Sequence, residues 1–321
     1  MKGFFTWFVN LCAVWIILAY VAGYFQPDLF LFFSKGRYMT MALSLVMLCM
    51  GLSLKLSDFG DLFKQPKCII LAALSQYTIM PFFGWLIARG LQLPPALAVG
   101  FIIVACCPGG MASNLIALIG RANISLSVVS TAVSTVLGIV MTPLLTYWLA
   151  GGYIKVDIWG MLLNVIEMVL LPVSLGVFIN WKFPGIVKRI GQGGAVISTL
   201  CVTMVSGAAI APTTAVPGGR EELLAYAGIM LMAATLLHGA GFGLGYTLGR
   251  LFKYDSPISK SISCETGMQN GGLAVTLARN NFPMYLPVVC LPSVFCSIIQ
   301  SIIGGILASV WRMTSKEKDG Q

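Results

Sequence analysis

Charge is what this chain has least of. Only 10 % of its 321 residues are Asp, Glu, Lys or Arg, against roughly 25 % in a typical soluble domain. That scarcity excludes a water-facing surface over most of the length. Histidine is reduced to a single residue, which argues against an ordinary zinc centre. The nine cysteines contain no CxxC pair. Cys106 and Cys107 are adjacent, a poor geometry for a disulfide or a metal clamp, and read as small buried hydrophobes. A serine and histidine paired with a plausible base is also missing, so the pattern does not point to an enzyme. Long polar connections are absent too, and no soluble domain fits between the apolar blocks.

What remains is apolar. Hydrophobic residues make up 58 % of the chain and the mean hydropathy is +0.89. Blocks of about 20 apolar residues recur, each long enough to cross the ~30 Å hydrocarbon layer of a bilayer. The fold class is therefore an all-α polytopic membrane protein, since a β-barrel would show short alternating segments instead. Ten spans are expected, near 4–24, 38–54, 68–88, 95–119, 124–149, 158–180, 193–211, 222–249, 257–279 and 284–311. The first apolar run exceeds a signal-peptide h-region and lacks a clear cleavage site, so it is expected to stay as span one.

The net charge of +9 is spread singly or in small groups between the blocks. That pattern is a topology signal facing anionic lipid and not a nucleic-acid footprint. With a cytoplasmic N-terminus, fourteen of the twenty Lys and Arg residues fall on the inner side. Lys35, Arg37, Arg89, Lys155, Arg220 and Arg279 fall on the outer. The positive-inside rule then places both termini in the cytoplasm.

The halves of the chain resemble each other. "GWLIAR" (84–89) matches "GYTLGR" (245–250), and "LIGRAN" (118–123) matches "TLARNN" (276–281). "NLCAVWIILAYVAGYF" (10–25) lines up with "NVIEMVLLPVSLGVF" (164–178). The order is kept and the offset is nearly constant. Repeat one would cover 1–150 and repeat two 151–321. Five spans per half is odd, so the second copy would be inverted, a construction common among secondary transporters.

In each half the fourth span is interrupted. Span four carries "ACCPGGMASN" (105–114) and span nine carries "CETGMQNGG" (264–272). Pro108 lacks an N–H, and Gly109, Gly110, Gly267, Gly271 and Gly272 permit non-helical backbone. A broken backbone cannot face lipid; it must be buried in protein or line a wet cavity. Half-helix N-termini suit an anion, and free carbonyls suit a small cation. Glu265 lies in the second break, where an acid costs about 2.5–3.5 kcal/mol on insertion scales. A bound cation or a proton would offset that cost. Oxygen-bearing side chains are at hand: Ser113 and Asn114 at the other break, Gln76 in span three, and Ser127 and Thr131, four apart and so on one face of span five. One carboxylate among neutral oxygens suits a monovalent ion.

Three stretches, "CCPGGMASN", "SLSVVSTAVST" (125–135) and "ETGMQNGGLA" (265–274), resemble the bile acid:sodium symporter family in its bacterial form, and the likeness runs over essentially the whole chain. The resemblance implies a panel domain (1–66 and 151–215) and a core domain (67–150 and 216–321) that move against each other. It implies two sodium ions behind the crossing of the broken helices. One would sit among Ser113, Asn114, Ser127, Thr131 and Glu265. The other would sit among Gln76, Glu265 and Gln269 with the carbonyls of Thr266 and Met268. The substrate would lie in front, against Gly110, Met111, Asn270 and Gly271. Met111 replaces a frequent Thr, and Gly271 a frequent Ser. The expected function is sodium-coupled symport of a small organic anion in a bacterial inner membrane: a 2-oxo acid, a pantothenate precursor or a bile-acid-like carboxylate. The alternative is a proton-coupled carrier or a cation/proton antiporter, in which Glu265 titrates. Glu167 is expected to line a pathway or meet a polar group across the panel, and His238 to donate a hydrogen bond between helices.

Overall fold

The computed structural model describes residues 8–9, 11–35, 37–54, 66–190 and 193–319. Lys2, Lys55 and Lys64 of the inner-side cations lie outside the described residues, as do positions 4–7 and 10 of the first expected span. Among the described residues the chain is helical, and its one extended pairing is an isolated antiparallel bridge between Gly109 and Gln269.

The helices in chain order are α1 (Cys12–Phe25), α2 (Asp28–Ser34), α3 (Tyr38–Ser53), α4 (Pro66–Gly90), α5 (Pro95–Cys106), α6 (Ala112–Ile119) and α7 (Ile124–Ala150). They continue with α8 (Ile158–Lys182), which contains a π-helical turn at Ile166–Leu170, α9 (Pro184–Ile190), α10 (Gly193–Thr214) and α11 (Gly219–Leu251). The last three are α12 (Ser256–Gly267), α13 (Gly271–Asn281) and α14 (Leu291–Asp319).

Six of these, counted over the described residues, are long and apolar enough to cross a membrane, or seven when the bent pair α1–α2 counts as one span. The count falls below the ten expected spans for a local reason. Expected spans four and nine are each two helices, and each half is too short to cross alone. The helix α3, with 16 residues, is also shorter than the length that a crossing requires. Span ten begins later than expected, because short 3₁₀ turns occupy Pro283–Tyr285 and Val288–Cys290 before α14.

Local chemistry sets the helix ends. Asn123 caps α7 by accepting from Leu126 N at 3.0 Å, and Asp255 caps α12 by accepting from Ile258 N at 2.9 Å. Such caps satisfy donors that a helix start leaves unpaired. Pro172 follows the π turn of α8. A proline there cannot donate to the carbonyl four residues back, and a π bulge accommodates the missing bond.

The helices pack as two groups. In one, α10 lies against α1, α2 and α3, and α8 lies against α3. Small residues permit this: a side chain at Gly23 would strike the Gly207 carbonyl, and Gly51 faces Gly176. In the other group, α11 runs along α12, α14 and α4, while α5 sits between α4 and α7. Gly241, Gly245 and Gly249, one turn apart, hold the backbone of α12 close to α11. Close backbone approach through small residues is how membrane helices gain packing without a hydrophobic drive. The matched hexapeptides share one such contact. Gly84 faces Ala105 of α5, and Gly245 faces Ser263 and Thr266 of α12.

Candidate functional site at the crossing of two broken helices

The first interruption follows from Pro108. The residue before a proline is pushed out of the helical region, and Cys107 is extended at φ −72°, ψ 155°. The second has no proline. Gly267 ends α12, Met268 is extended at φ −119°, ψ 116°, and Asn270 restarts the helix by accepting from Leu273 N at 3.0 Å. The two interruptions cross and bond to each other. Asn270 N donates to Pro108 O at 2.9 Å, and Gly110 N donates to Met268 O at 3.2 Å. Backbone groups that would be orphaned in lipid are paired across the crossing instead.

Behind the crossing lies Glu265, with no exposed surface. Thr131 Oγ1 donates to Oε2 at 2.7 Å, and Ser134 Oγ donates to Oε1 at 2.5 Å. Gly109 makes room for it, since a side-chain carbon there would overlap the carboxylate as it lies here. Ser127 Oγ donates to Asn114 Oδ1 at 2.7 Å, and the hydroxyls of Ser113 and Thr131 are 3.4 Å apart. Ser113, Asn114, Ser127, Thr131 and Glu265 therefore form one connected polar cluster inside an apolar bundle.

Ser134 was not among the expected residues, although it completes the face: Ser127, Thr131 and Ser134 stand at i, i+4 and i+7 on α7. That spacing was available in the sequence. Gln300 of α14 was missed as well. Its side chain accepts from Gln269 N at 2.7 Å and donates to Gln269 O at 3.0 Å, holding the break as a neighbouring strand would. A lone amide in an apolar span was the available signal.

The second expected group is partly assembled. Gln76 Nε2 donates to Gln269 Oε1 at 2.7 Å and to Cys107 O at 2.7 Å. Gln76 Oε1 is buried without a partner. Gln269 Nε2 donates to Thr266 O at 3.5 Å. The Met268 carbonyl already accepts from Gly110 N, and the hydrogen bonds of Glu265 run to the α7 hydroxyls and not to Gln76.

In front of the crossing is a cavity of ≈ 400 Å³ whose walls include Gly110, Met111, Asn270 and Gly271. Its other walls come mainly from α1, α3 and α10, and it extends past Ser53, Val187 and Gly194. A side chain at Gly271 would fall on the hydroxyl of Ser297. The space beside Gly271 is thus filled by a hydroxyl from α14. No lining residue among those described is charged.

At the opposite face the two helix groups are fastened. Arg279 donates to the Ser34 carbonyl. Asn280 Nδ2 donates to Thr40 Oγ1 at 3.2 Å, and Asn164 Nδ2 donates to Asn281 Oδ1 at 3.1 Å. Glu167 of α8 forms an ion pair with Arg37, just before α3, and is half exposed, so it meets a charged group at a neighbouring helix.

Paired interruptions over a buried acid, in a bundle of membrane-length helices, are the construction of a secondary carrier. Sequence comparison agrees. The profile of the Sodium Bile acid symporter family matches residues 40–214, and the chain belongs to that family. It is 35 % identical over 306 residues to the "Uncharacterized sodium-dependent transporter YocS" of Bacillus subtilis (strain 168), covering 95 % of this chain and 92 % of that protein. It is 36 % identical over 305 residues to the "Probable sodium/metabolite cotransporter BASS1, chloroplastic" of Arabidopsis thaliana, covering 95 % and 74 %. The rice "Probable sodium/metabolite cotransporter BASS2, chloroplastic" is 36 % identical over 313 residues, covering 97 % and 73 %. These relatives are named as transporters and not as enzymes.

Proposed function

We propose that this chain carries out sodium-coupled symport of a small organic anion by alternating access, with ten spans in two inverted repeats. The carrying observation is the Glu265 carboxylate, fully buried and hydrogen-bonded by two neutral hydroxyls. A buried carboxylate is costly unless a charge of opposite sign joins it. A sodium ion, which wants several hard oxygens, fits Glu265, Thr131, Ser127, Ser113 and Asn114. The orphaned Gln76 Oε1, with Gln269 and the Thr266 carbonyl, supports a second ion. The sodium dependence printed in the names of the relatives supports the same reading.

The anion would bind in the cavity against the starts of α6 and α13. With no basic side chain among the described lining residues, its charge would be met by helix N–H groups and by the field of the sodium ions. Met111, Asn270 and Gly271 lie at that surface. Substrates of the class would be 2-oxo acids, pantothenate precursors or bile-acid-like carboxylates.

The cavity lies on the side of Lys182, Lys188 and Arg189, which the positive-inside rule makes cytoplasmic. Both termini would share that side of a bacterial inner membrane. The fastened face around Arg279 would be the outer one, so the conformation is inward-facing. Transport would move α4–α7 with α11–α14 as the core against the panel of α1–α3, α8 and α10. Proteoliposomes with and without an inward sodium gradient test this by uptake of labelled 2-oxo acids, pantoate and a bile acid. Sodium-dependent uptake of one of them is expected. Uptake unaffected by replacing Na⁺ with K⁺ would sink the proposal.

A further inference from the structure

The backbone that ends α12 has conflicting demands on it. Gly267 must be glycine because the Phe242 ring of α11 lies where its side chain would be. Glycine is also the residue with the most backbone freedom. It directly follows Thr266, whose carbonyl flanks the proposed second sodium position. A loose peptide at 267 would let that carbonyl wander, whereas the Met268 carbonyl is already held by Gly110 N.

His238 lies directly against this point. It is one turn before Phe242 on α11 and fully buried. Its Nδ1 is 2.9 Å from the Gly267 carbonyl. A carbonyl only accepts, so the proton is on Nδ1 and Nε2 is an acceptor. That Nε2 has no partner, although a buried polar atom left unpaired carries a cost. A leucine would fill the volume without that cost. The imidazole therefore offers something that packing alone does not, and the contact it makes is the one to Gly267.

We propose that His238 is a positioning residue for sodium: its Nδ1–H pins the Gly267 peptide so that the neighbouring Thr266 carbonyl faces the cation. The inference rests on the sodium reading above. Glu265 supplies the charge, Gln76 and Gln269 supply side-chain oxygens, and His238 on α11 sets the direction of the Thr266 oxygen.

The test compares His238→Leu with His238→Asn, whose amide nitrogen overlays Nδ1 and restores the donor. Uptake is measured against sodium concentration at saturating substrate, and against substrate at saturating sodium. The detergent-solubilised proteins are also melted with and without NaCl. His238→Leu is expected to raise the sodium half-saturation about tenfold while the maximal rate falls less than threefold. His238→Asn is expected to recover most of that shift. Equal sodium curves for wild type and His238→Leu would overturn the proposal. So would equal impairment of both variants, which would mean that shape and not the donor matters. If His238→Leu fails to fold, the Asn variant alone decides, because a sodium half-saturation raised tenfold in it would contradict the tether. Wild type lacking any sodium response would instead defeat the symport reading, so the two failures are distinguishable.

Discussion

Replacing Glu265 with glutamine tests the electrostatic core of the site with little change of shape. The carboxylate is the one acid in the cluster of Ser113, Asn114, Ser127, Thr131 and Ser134. At an effective dielectric constant of about 20 and a separation of about 2.5 Å, a unit charge pair is worth ~7 kcal/mol. If desolvation cancels half of it, about 3 kcal/mol remains, or at least a hundredfold in sodium affinity. The fold should survive. Thr131 Oγ1 is also 2.9 Å from Ser127 O, and Ser134 Oγ is 3.1 Å from Thr131 O. Both hydroxyls thus keep a carbonyl to donate to when the carboxylate is gone. The assay is the melting temperature in detergent as NaCl replaces KCl at constant ionic strength. A ligand at a hundred times its Kd stabilises by about 2.7 kcal/mol, so wild type should show a clear sodium-specific rise and Glu265→Gln should show none. A variant that melts like wild type in KCl and still rises equally with sodium at the same midpoint would refute the argument.

Other substitutions separate the parts of the site. Ser134→Ala removes one charge-assisted hydrogen bond from the carboxylate, worth about 1.5–3 kcal/mol, and should shift the sodium midpoint about tenfold; an unchanged midpoint would remove Ser134 from the site. Asn270→Ala loses a helix cap worth about 0.5–2 kcal/mol at the cavity wall. Its half-saturation for substrate should rise more than that for sodium, and the reverse order would contradict the assigned positions. Asn281→Ala breaks the bond to Asn164 on the fastened face and should favour the opposite conformation. Labelling of Met168→Cys by a membrane-impermeant maleimide, from the side of Arg279 and above the native-cysteine background, should then rise several-fold. No increase would mean that Asn281 does not hold that face shut.

Much of this arrangement could be read from residues alone. Pro108 with its glycines announced the first break, and the amide-rich run around Glu265 announced the second, because both offend helical backbone preferences directly. The i, i+4 pair Ser127 and Thr131 put hydroxyls on one face, and that face does meet Glu265. What the sequence hid was partnership over long separations. Nothing local in "SIIQSII" says that Gln300 will hold the backbone of Gln269, 31 positions away. Ser297 filling the space at Gly271 is likewise a property of two helices meeting. Among the described residues, the count of membrane-length helices falls below the ten apolar blocks because the two announced breaks divide spans four and nine, and because α3 is short.

The bonds that join Pro108 to Asn270 and Gly110 to Met268 have a mechanical consequence. Neither interruption can loosen by itself without stranding polar groups of the other in a dry interior. On the proposed function, an ion held behind them would leave when the bundle carrying both interruptions shifts as a whole, and not through a small local opening. The seam between two half-helix pairs would then act as a guard against leakage, tying the downhill movement of one solute to the uphill movement of the other.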